Sequence, residues 1–328
     1  MTNYPNSKSL LQLGLSEDQL EELIGKYYLS GLAGKISFTS SETLGDLVIK
    51  VGHSRESYDA LREYAALRFL DKTYPGVAPK PYYLDKKRNL LIMEKIDGYS
   101  PLNIDSSIIS SIANRLTKIH SYNFDWTGQI HILKRDRMTN FDRAKNQVNF
   151  ANGWFKKILP YVAREDKYLA ESLEHGRDMI VKQVRDNERA FSEQGFALIH
   201  YDINRGNMIL NDKQELVLID WGQPYIADPG MDIGKFFLKC DINSDQQEEF
   251  FRNYSLVNVS AKNLRARASV YYSISRLISY CWRVNVMNGE INTGGPVANH
   301  LNRDLFIKRL KQDREFIIEF SKCAGERQ

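Results

Sequence analysis

Cysteine is scarce in this chain: Cys240, Cys281 and Cys323 are the three present among 328 residues. They are odd in number, far apart and in no metal-site or redox spacing. That excludes a disulfide framework and makes a reduced compartment the default. Charge of one sign is lacking too. The 45 basic and 41 acidic residues leave a net +4, too mild to argue for nucleic acid or a membrane surface. No stretch approaches the roughly 20 apolar residues of a membrane span. The first fifteen residues are polar, with no charged start leading into an apolar run, so no leader peptide is expected. Internal repeats and low-complexity linkers are also missing. What remains is 42% hydrophobic and 26% charged, enough apolar material for one large domain or two modest ones. The expectation is a soluble cytoplasmic protein with neither nucleic acid nor membrane as a partner.

Along the chain, Ser16–Tyr27 reads as a short helix in which Ser16 and Gln19 form a capping box. Short β-prone runs follow at Tyr27–Ser30, Ile36–Thr39 and Leu47–Val51, with Gly31, Gly34 and Gly45 at turns. Ser54–Tyr74 is helical in pattern, with Tyr58, Leu61, Ala65 and Phe69 on one face. Strand character resumes at Tyr82–Leu84 and Leu90–Lys95, the second opening on a continuous apolar block typical of a buried strand. After Gly98 the pattern turns helical. Ile108, Ile109, Ile112, Leu116 and Ile119 make a strong stripe, and further helices are expected over about Glu165–Phe191, Val270–Val286 and Leu305–Phe320. The reading is an α+β chain with a small mixed lobe, residues 1–96, and a larger mainly helical lobe, residues 97–328.

The most informative stretch is an island between those helices. His200-Tyr201-Asp202 runs into Asn207 and the apolar Met208-Ile209-Leu210, and Leu216-Val217-Leu218-Ile219 leads into Asp220-Trp221-Gly222. Asn211-Asp212-Lys213 has turn chemistry that lets the two strands pair as a hairpin. Three oxygen-bearing side chains, Asp202, Asn207 and Asp220, then sit at strand edges. Each alone is an ordinary turn residue. Together they suit phosphoryl transfer, which needs a carboxylate to orient and deprotonate a hydroxyl and hard oxygen ligands for Mg²⁺ beside nucleotide phosphates. Asp202 would be the base, with Asn207 and Asp220 on the metal.

The pattern His200-x-Asp202-x4-Asn207 with Ile219-Asp220-Trp221 resembles the aminoglycoside phosphotransferase and choline kinase superfamily, whose fold is protein-kinase-like. Protein kinases share the frame but usually carry Lys two residues after the base and Phe-Gly after the metal Asp. Here those places hold Asn204 and Trp221, which favours the small-molecule branch. Asp228-Pro229 and Asp232-Ile233-Gly234 also look like the family's run after the metal Asp. The resemblance implies two lobes: a small antiparallel sheet with a helix that binds nucleotide, and a larger helical catalytic lobe. It further implies that Asp232 supports the loop structurally and that His200 orients it without transferring protons.

The frame asks the first lobe for a phosphate-contacting Lys and a partner Glu. Val48-Ile49-Lys50-Val51 offers Lys50 on a strand and Arg62-Glu63-Tyr64 offers Glu63 on the next helix, with Glu56 as a fallback; a Lys–Glu pair fixes an ammonium beside the α- and β-phosphates. Taken alone, Lys50 reads as a solvated strand lysine. Ser30-Gly31-Leu32-Ala33-Gly34-Lys35 lies where a phosphate-covering loop belongs, yet it lacks the full G-x-G-x-x-G pattern and reads equally well as a plain hairpin. It is no Walker A loop, since Ile36 follows Lys35. Leu91–Gly98 resembles the hinge between lobes, which puts main-chain groups of Glu94 and Ile96 at the adenine edge and Met93 at the back of the pocket. Ile209 and Ile219 would sandwich the base.

The implied cofactors are ATP and Mg²⁺, and the implied partner is a small-molecule hydroxyl acceptor: an aminoglycoside or other antibiotic, a choline- or ethanolamine-like amino-alcohol, or a sugar. Fold does not choose among them. The acidic group Asp241, Asp245, Glu248 and Glu249 reads first as a solvated helix start, and Tyr271, Tyr272, Tyr280 and Trp282 read first as core of a helix. Arg205 is a further candidate for phosphate. The alternative to an enzyme is a non-catalytic nucleotide-binding scaffold of the kinase fold, which loss of the base or metal residues would signal. A protein kinase would need an Ala-Pro-Glu-like segment after Asp220, where the chain has Pro224–Pro229.

Overall fold

The computed structural model describes residues 9–25, 29–30, 34–52, 59–131, 138–192, 195–256, 259–287 and 303–322. The chain forms two compact units. One combines Met1–Asp136, Ala197–Ile226 and Asn243–Ser255; the other combines Arg137–Phe196, Ala227–Ile242 and Leu256–Gln328.

The first unit opens on a 3-10 turn, Leu10–Leu13, and helix α1, Glu17–Gly25. The expected capping box is present: Gln19 N donates to Ser16 Oγ at 3.1 Å and Ser16 N to Gln19 Oε1 at 2.8 Å. A five-stranded antiparallel sheet follows in the order β1-β2-β3-β5-β4. Its strands are β1 (Leu29–Ser30), β2 (Gly34–Ser41), β3 (Gly45–Gly52), β4 (Pro81–Asp85) and β5 (Leu90–Glu94). Side chains alternate across a pleated strand, and here the two faces divide the labour. Leu47 and Ile49 of β3 and Leu90 and Ile92 of β5 point into a buried cluster with Leu13 and Leu20. Val48 and Lys50 point to the other face. The register pairs Val48 with Met93 and Lys50 with Leu91, so these four residues share that second face.

Helix α2, Ala60–Thr73, begins at the cap Asp59; the expected start at Ser54, with Tyr58, lies outside the described residues. Its buried face is also broader than the expected stripe. Ala60, Glu63, Tyr64, Ala65, Ala66, Leu67 and Leu70 are buried, while Leu61 and Phe69 are half-buried. The physical reason is that α2 is covered on more than one side: it packs on β3, β4 and β5, and Phe69 stacks edge-on against Tyr122 at 5.0 Å. Helix α3, Ser106–His120, buries the expected Ile108, Ile109, Ile112, Leu116 and Ile119.

The short strands β6 (Ala197–Ile199), β7 (Met208–Leu210), β8 (Leu216–Leu218) and β9 (Tyr225–Ala227) form two small pairs, β6 with β9 and β7 with β8. The chain after β5 is stitched to this island: Tyr99 N donates to Leu210 O at 3.1 Å and Leu210 N to Tyr99 O at 2.9 Å. Gly98, at φ +148, makes that approach possible, because a Cβ there would lie 2.1 Å from Leu210 O. Helix α7, Ser244–Asn253, docks on α3.

The second unit is helical: α4 (Asn140–Glu165), α5 (Lys167–Asp186), a 3-10 turn at Glu188–Ser192, α6 (Pro229–Lys239), α8 (Ala261–Met287) and α9 (Arg303–Lys322). Helices α6 and α8 lie so close at Gly234 that a Cβ would meet Ala268 O at 2.5 Å. The single helix expected over Glu165–Phe191 is instead α5 and the 3-10 turn, with α5 capped by Asp166, whose carboxylate accepts from Leu169 N at 2.9 Å. Helix α4 had no counterpart in the sequence reading. Gly153 and Pro160 lower its intrinsic helix propensity, and tertiary packing of Ala144, Val148, Ala151, Phe155, Ile158 and Val162 overrides that. Among the described residues no helix is long and apolar enough to cross a membrane.

Candidate active site

The residues expected to serve as base, metal ligands and nucleotide contacts all fall in the first unit. Lys50 leaves β3 on the face opposite the Leu47/Ile49 core. Its ammonium donates to Glu63 Oε2 of α2 at 2.9 Å and to Asp220 Oδ1 at 2.5 Å. The Lys50 side chain is 8% exposed and that of Glu63 is fully buried, whereas that of Asp220 is 50% exposed. A buried ammonium is costly unless paired. Burial pulls the Lys50 pKa down, but the Glu63 and Asp220 carboxylates outweigh it and hold the group above the ordinary lysine value. For Asp220, burial pushes the pKa up, and the charge and hydrogen bond of Lys50 override it, leaving the carboxyl below its usual range. The solvated-lysine reading of Lys50 is therefore excluded by its burial and its two partners. The fallback Glu56 lies outside the described residues.

The loop after β6 is built by local hydrogen bonds. Asp202 N donates to His200 Nδ1 at 3.2 Å, so Nδ1 is the acceptor nitrogen, and His200 Nε2 lies 2.8 Å from Ile219 O, to which it donates. The ring is buried, with Trp221 at 4.5 Å. His200 thus links the start of the loop to the residue before Asp220, and both its nitrogens are occupied. Asn204 caps the 3-10 turn Arg205–Asn207, its Oδ1 accepting from Gly206 N at 2.9 Å. Asn207 Nδ2 donates to Asp202 O at 2.8 Å and faces Asp202 Oδ2 at 3.4 Å. Ile219 N donates to Asn207 O at 3.0 Å. The loop and the end of β8 are therefore laced together, and Asp202, Asn207 and Asp220 are brought to one place.

Backbone geometry marks the same spot. Tyr201 and Asp220 have φ of 70° and 60°, a left-handed region that non-glycine residues seldom occupy and that clusters at functional sites. The amide nitrogen of Asn207 is spent on Asp202, and no hydrogen bond to its Oδ1 occurs among the described residues.

The remaining candidates border this centre. Met93 is buried on the Lys50 face of the sheet. Glu94 ends β5, its N–H donating to Lys80 O at 2.8 Å and its Oε2 accepting from Lys80 N at 3.0 Å. The Ile96 N–H makes no main-chain hydrogen bond among the described residues. Ile209 and Ile219 are half-buried, although their strand neighbours Met208, Leu210, Val217 and Leu218 are buried. Partly exposed aliphatics beside otherwise buried strand residues can line a cleft.

Other expectations resolve differently. Gly31 to Ala33 of the candidate phosphate loop lie outside the described residues; Gly34 belongs to β2. Arg205 is exposed and donates to Leu102 O at 2.9 Å. The acidic group does not act as one cluster: Asp241 pairs with Arg309, and Glu249 accepts from Ser106 Oγ at 2.9 Å. Tyr271 and Tyr280 are core residues, Tyr272 lies under Arg276, and Trp282 packs on Phe306. Asp232 is fully buried on α6. The sequence reading missed Val48 and Leu91 as companions of Lys50, which strand alternation would have supplied, and Asn204 as the cap of the loop, which its Asn-x-Gly spacing signals.

Residues 29–268 match the phosphotransferase enzyme family, APH. The chain belongs to that family. This phosphotransferase also resembles solved structures of small-molecule kinases. Choline kinase LicA from Streptococcus pneumoniae superposes with a TM-score of 0.58 at 18% identity, covering 89% of this chain and 92% of that one. An ethanolamine kinase of Plasmodium vivax gives 0.60 at 15% identity, covering 95% and 84%. Spectinomycin phosphotransferase APH(9)-Ia, in complex with ADP and spectinomycin, gives 0.59 at 13%, covering 94% and 98%. At such identities the likeness speaks to fold: an α+β, kinase-like architecture. Family membership makes the chain an enzyme, a phosphotransferase.

Proposed function

We propose that this phosphotransferase moves the γ-phosphoryl group of ATP to a hydroxyl of a small molecule, with Asp202 as catalytic base and Asn207 and Asp220 as Mg²⁺ ligands. The observation that carries the reading is the Lys50 ammonium, which bonds Glu63 and, 170 residues away in sequence, Asp220. A fixed cation beside a half-exposed carboxylate is what a phosphate–metal pair requires. The donor set fits the ion. Among the described residues no group of three or more His, Cys, Asp or Glu forms a cage. Mg²⁺, however, typically takes one or two protein oxygens and fills its shell with phosphates and water. Asn207 Oδ1 and the half-exposed Asp220 carboxylate offer those two. When bound, the ion would neutralise charge on the transferring phosphoryl group.

The protein's own residues do the rest. Lys50, held by Glu63, neutralises nucleotide phosphate oxygens. The Asp202 carboxylate accepts a hydrogen bond from the acceptor hydroxyl and takes its proton as the new P–O bond forms and the bond from the γ-phosphorus to the β,γ-bridging oxygen breaks, with ADP as the leaving group. Main-chain groups of Glu94 and Ile96 meet the adenine edge, Met93 lies at the back, and Ile209 and Ile219 flank the ring. In this reading residues 1–96 hold the nucleotide and 97–328 supply the catalytic and acceptor-binding groups.

The acceptor is drawn from aminoglycosides and other antibiotics, choline- or ethanolamine-like amino-alcohols, and sugars. The test is ADP release with Mg²⁺ and ATP across that panel. One acceptor should stimulate release, and Asp202→Asn should abolish the stimulation. ATP binding with no stimulation by any of them would contradict the reading and favour a nucleotide-binding scaffold.

A further inference from the structure

For the Glu63 carboxylate to meet Lys50, α2 must be held at a fixed distance from β3. A residue outside both elements does this. Asn89 lies in the turn between β4 and β5. Its main-chain oxygen accepts from Gly52 N at 3.1 Å, which carries the β3–β5 ladder one step past the Val51–Leu90 pair. Its side-chain Oδ1 accepts from Ala60 N, the first residue of α2, at 2.9 Å. One residue therefore grips the strand that bears Lys50 through its main chain and the helix that bears Glu63 through its side chain. The grip is close to the pair on both sides. Gly52 is two positions from Lys50, and Ala60 is three positions, about one helical turn, from Glu63.

Asn89 is only 9% exposed and sits at φ 52°, a region tolerated by Asn, Asp and Gly. The other early N–H groups of α2 are served by its own cap residue. Leu61 N donates to Asp59 Oδ1 at 3.0 Å, and Arg62 N and Glu63 N donate to Asp59 O at 3.0 and 3.2 Å. Of these four bonds, the one from Ala60 alone ties the helix to the sheet.

We infer that Asn89 is a positioning residue for phosphoryl transfer, bridging β3 to α2 so that Glu63 holds Lys50 at the nucleotide phosphates. The inference rests on the proposed role of Lys50. Three variants of the full chain test it by calorimetric titration with ATP and Mg²⁺, below the unfolding temperature of each. Asn89→Gly keeps the backbone conformation and the Gly52 bond but deletes the acceptor to Ala60. Asn89→Asp keeps an acceptor oxygen and places it favourably at a helix N-terminus. Lys50→Ala is the control. The expected result is ATP affinity about tenfold lower in Asn89→Gly, the size of a lost cap, and within about twofold of the parent in Asn89→Asp. Amide exchange at Ala60–Glu63 should quicken in Asn89→Gly alone of the two Asn89 variants. Unchanged ATP affinity in Asn89→Gly despite quicker exchange would overturn the inference and leave a merely structural cap. So would a loss in Asn89→Asp as large as in Asn89→Gly. If Lys50→Ala weakens ATP and Asn89→Gly does not, the Asn89 bridge alone fails; if neither weakens ATP, the role of Lys50 fails with it.

Discussion

The two compact units bury charge in opposite ways. In the helical unit, Asp313 is 1% exposed and both its oxygens are taken, Oδ1 by Arg276 at 2.8 Å and Oδ2 by Arg283 at 2.5 Å. In the sheet-bearing unit, Lys50 and Glu63 are equally buried, but their chain of contacts ends on a half-exposed Asp220 near an Asn207 whose Oδ1 accepts no hydrogen bond among the described residues. An ion cluster that consumes its own valences stabilises or specifies packing. One that stops short of closure, on a half-exposed carboxylate, is prepared for a ligand. The comparison separates structural carboxylates from candidate catalytic ones without reference to where either lies in the sequence.

Substitutions should respect that division. The largest effect is expected at Asp202→Asn, which keeps shape but removes the base: acceptor-dependent turnover should fall by about 10²- to 10⁴-fold, with ATP affinity by titration unchanged. Next is Asp313→Asn, which leaves two partly buried guanidinium groups, of Arg276 and Arg283, short of a countercharge. Denaturant unfolding should show a loss of about 3 kcal/mol, while the folded protein binds ATP as before. Asp220→Ala should lower ATP affinity in the presence of Mg²⁺ by about tenfold or more and abolish the difference between titrations with and without the ion. The smallest effect is expected at Cys281. It is fully buried on α8, and burial pushes its thiol up to about 12. Alkylation of the native protein at pH 8, read by mass spectrometry, should leave it unmodified. An Asp313 variant that loses ATP binding while still folded, or an Asp220 variant that loses only stability, would erase the contrast.

Much of the site was legible because its chemistry is compressed. Asp202, Asn207 and Asp220 lie within one loop and one hairpin, so turn chemistry and strand patterning bring them close with few assumptions. Lys50 and Glu63 were legible by their order along the chain, strand then helix. The stitching was not. Asn89 is an ordinary turn residue in sequence, and only the register of β3 on β5 reveals that it reaches α2. Helix α4 was hidden because Gly153 and Pro160 obscure a period that the buried Val148, Phe155 and Val162 restore; the capping box of Thr139 and Asp142 was the available signal.

The most direct trial of the account is a crystal structure of the chain grown with Mg²⁺ and a non-hydrolysable ATP analogue. The account predicts a metal ion bound by Asn207 Oδ1 and an Asp220 carboxylate oxygen, with Lys50 on the nucleotide's phosphates. A nucleotide bound with its metal touching neither side chain would contradict it.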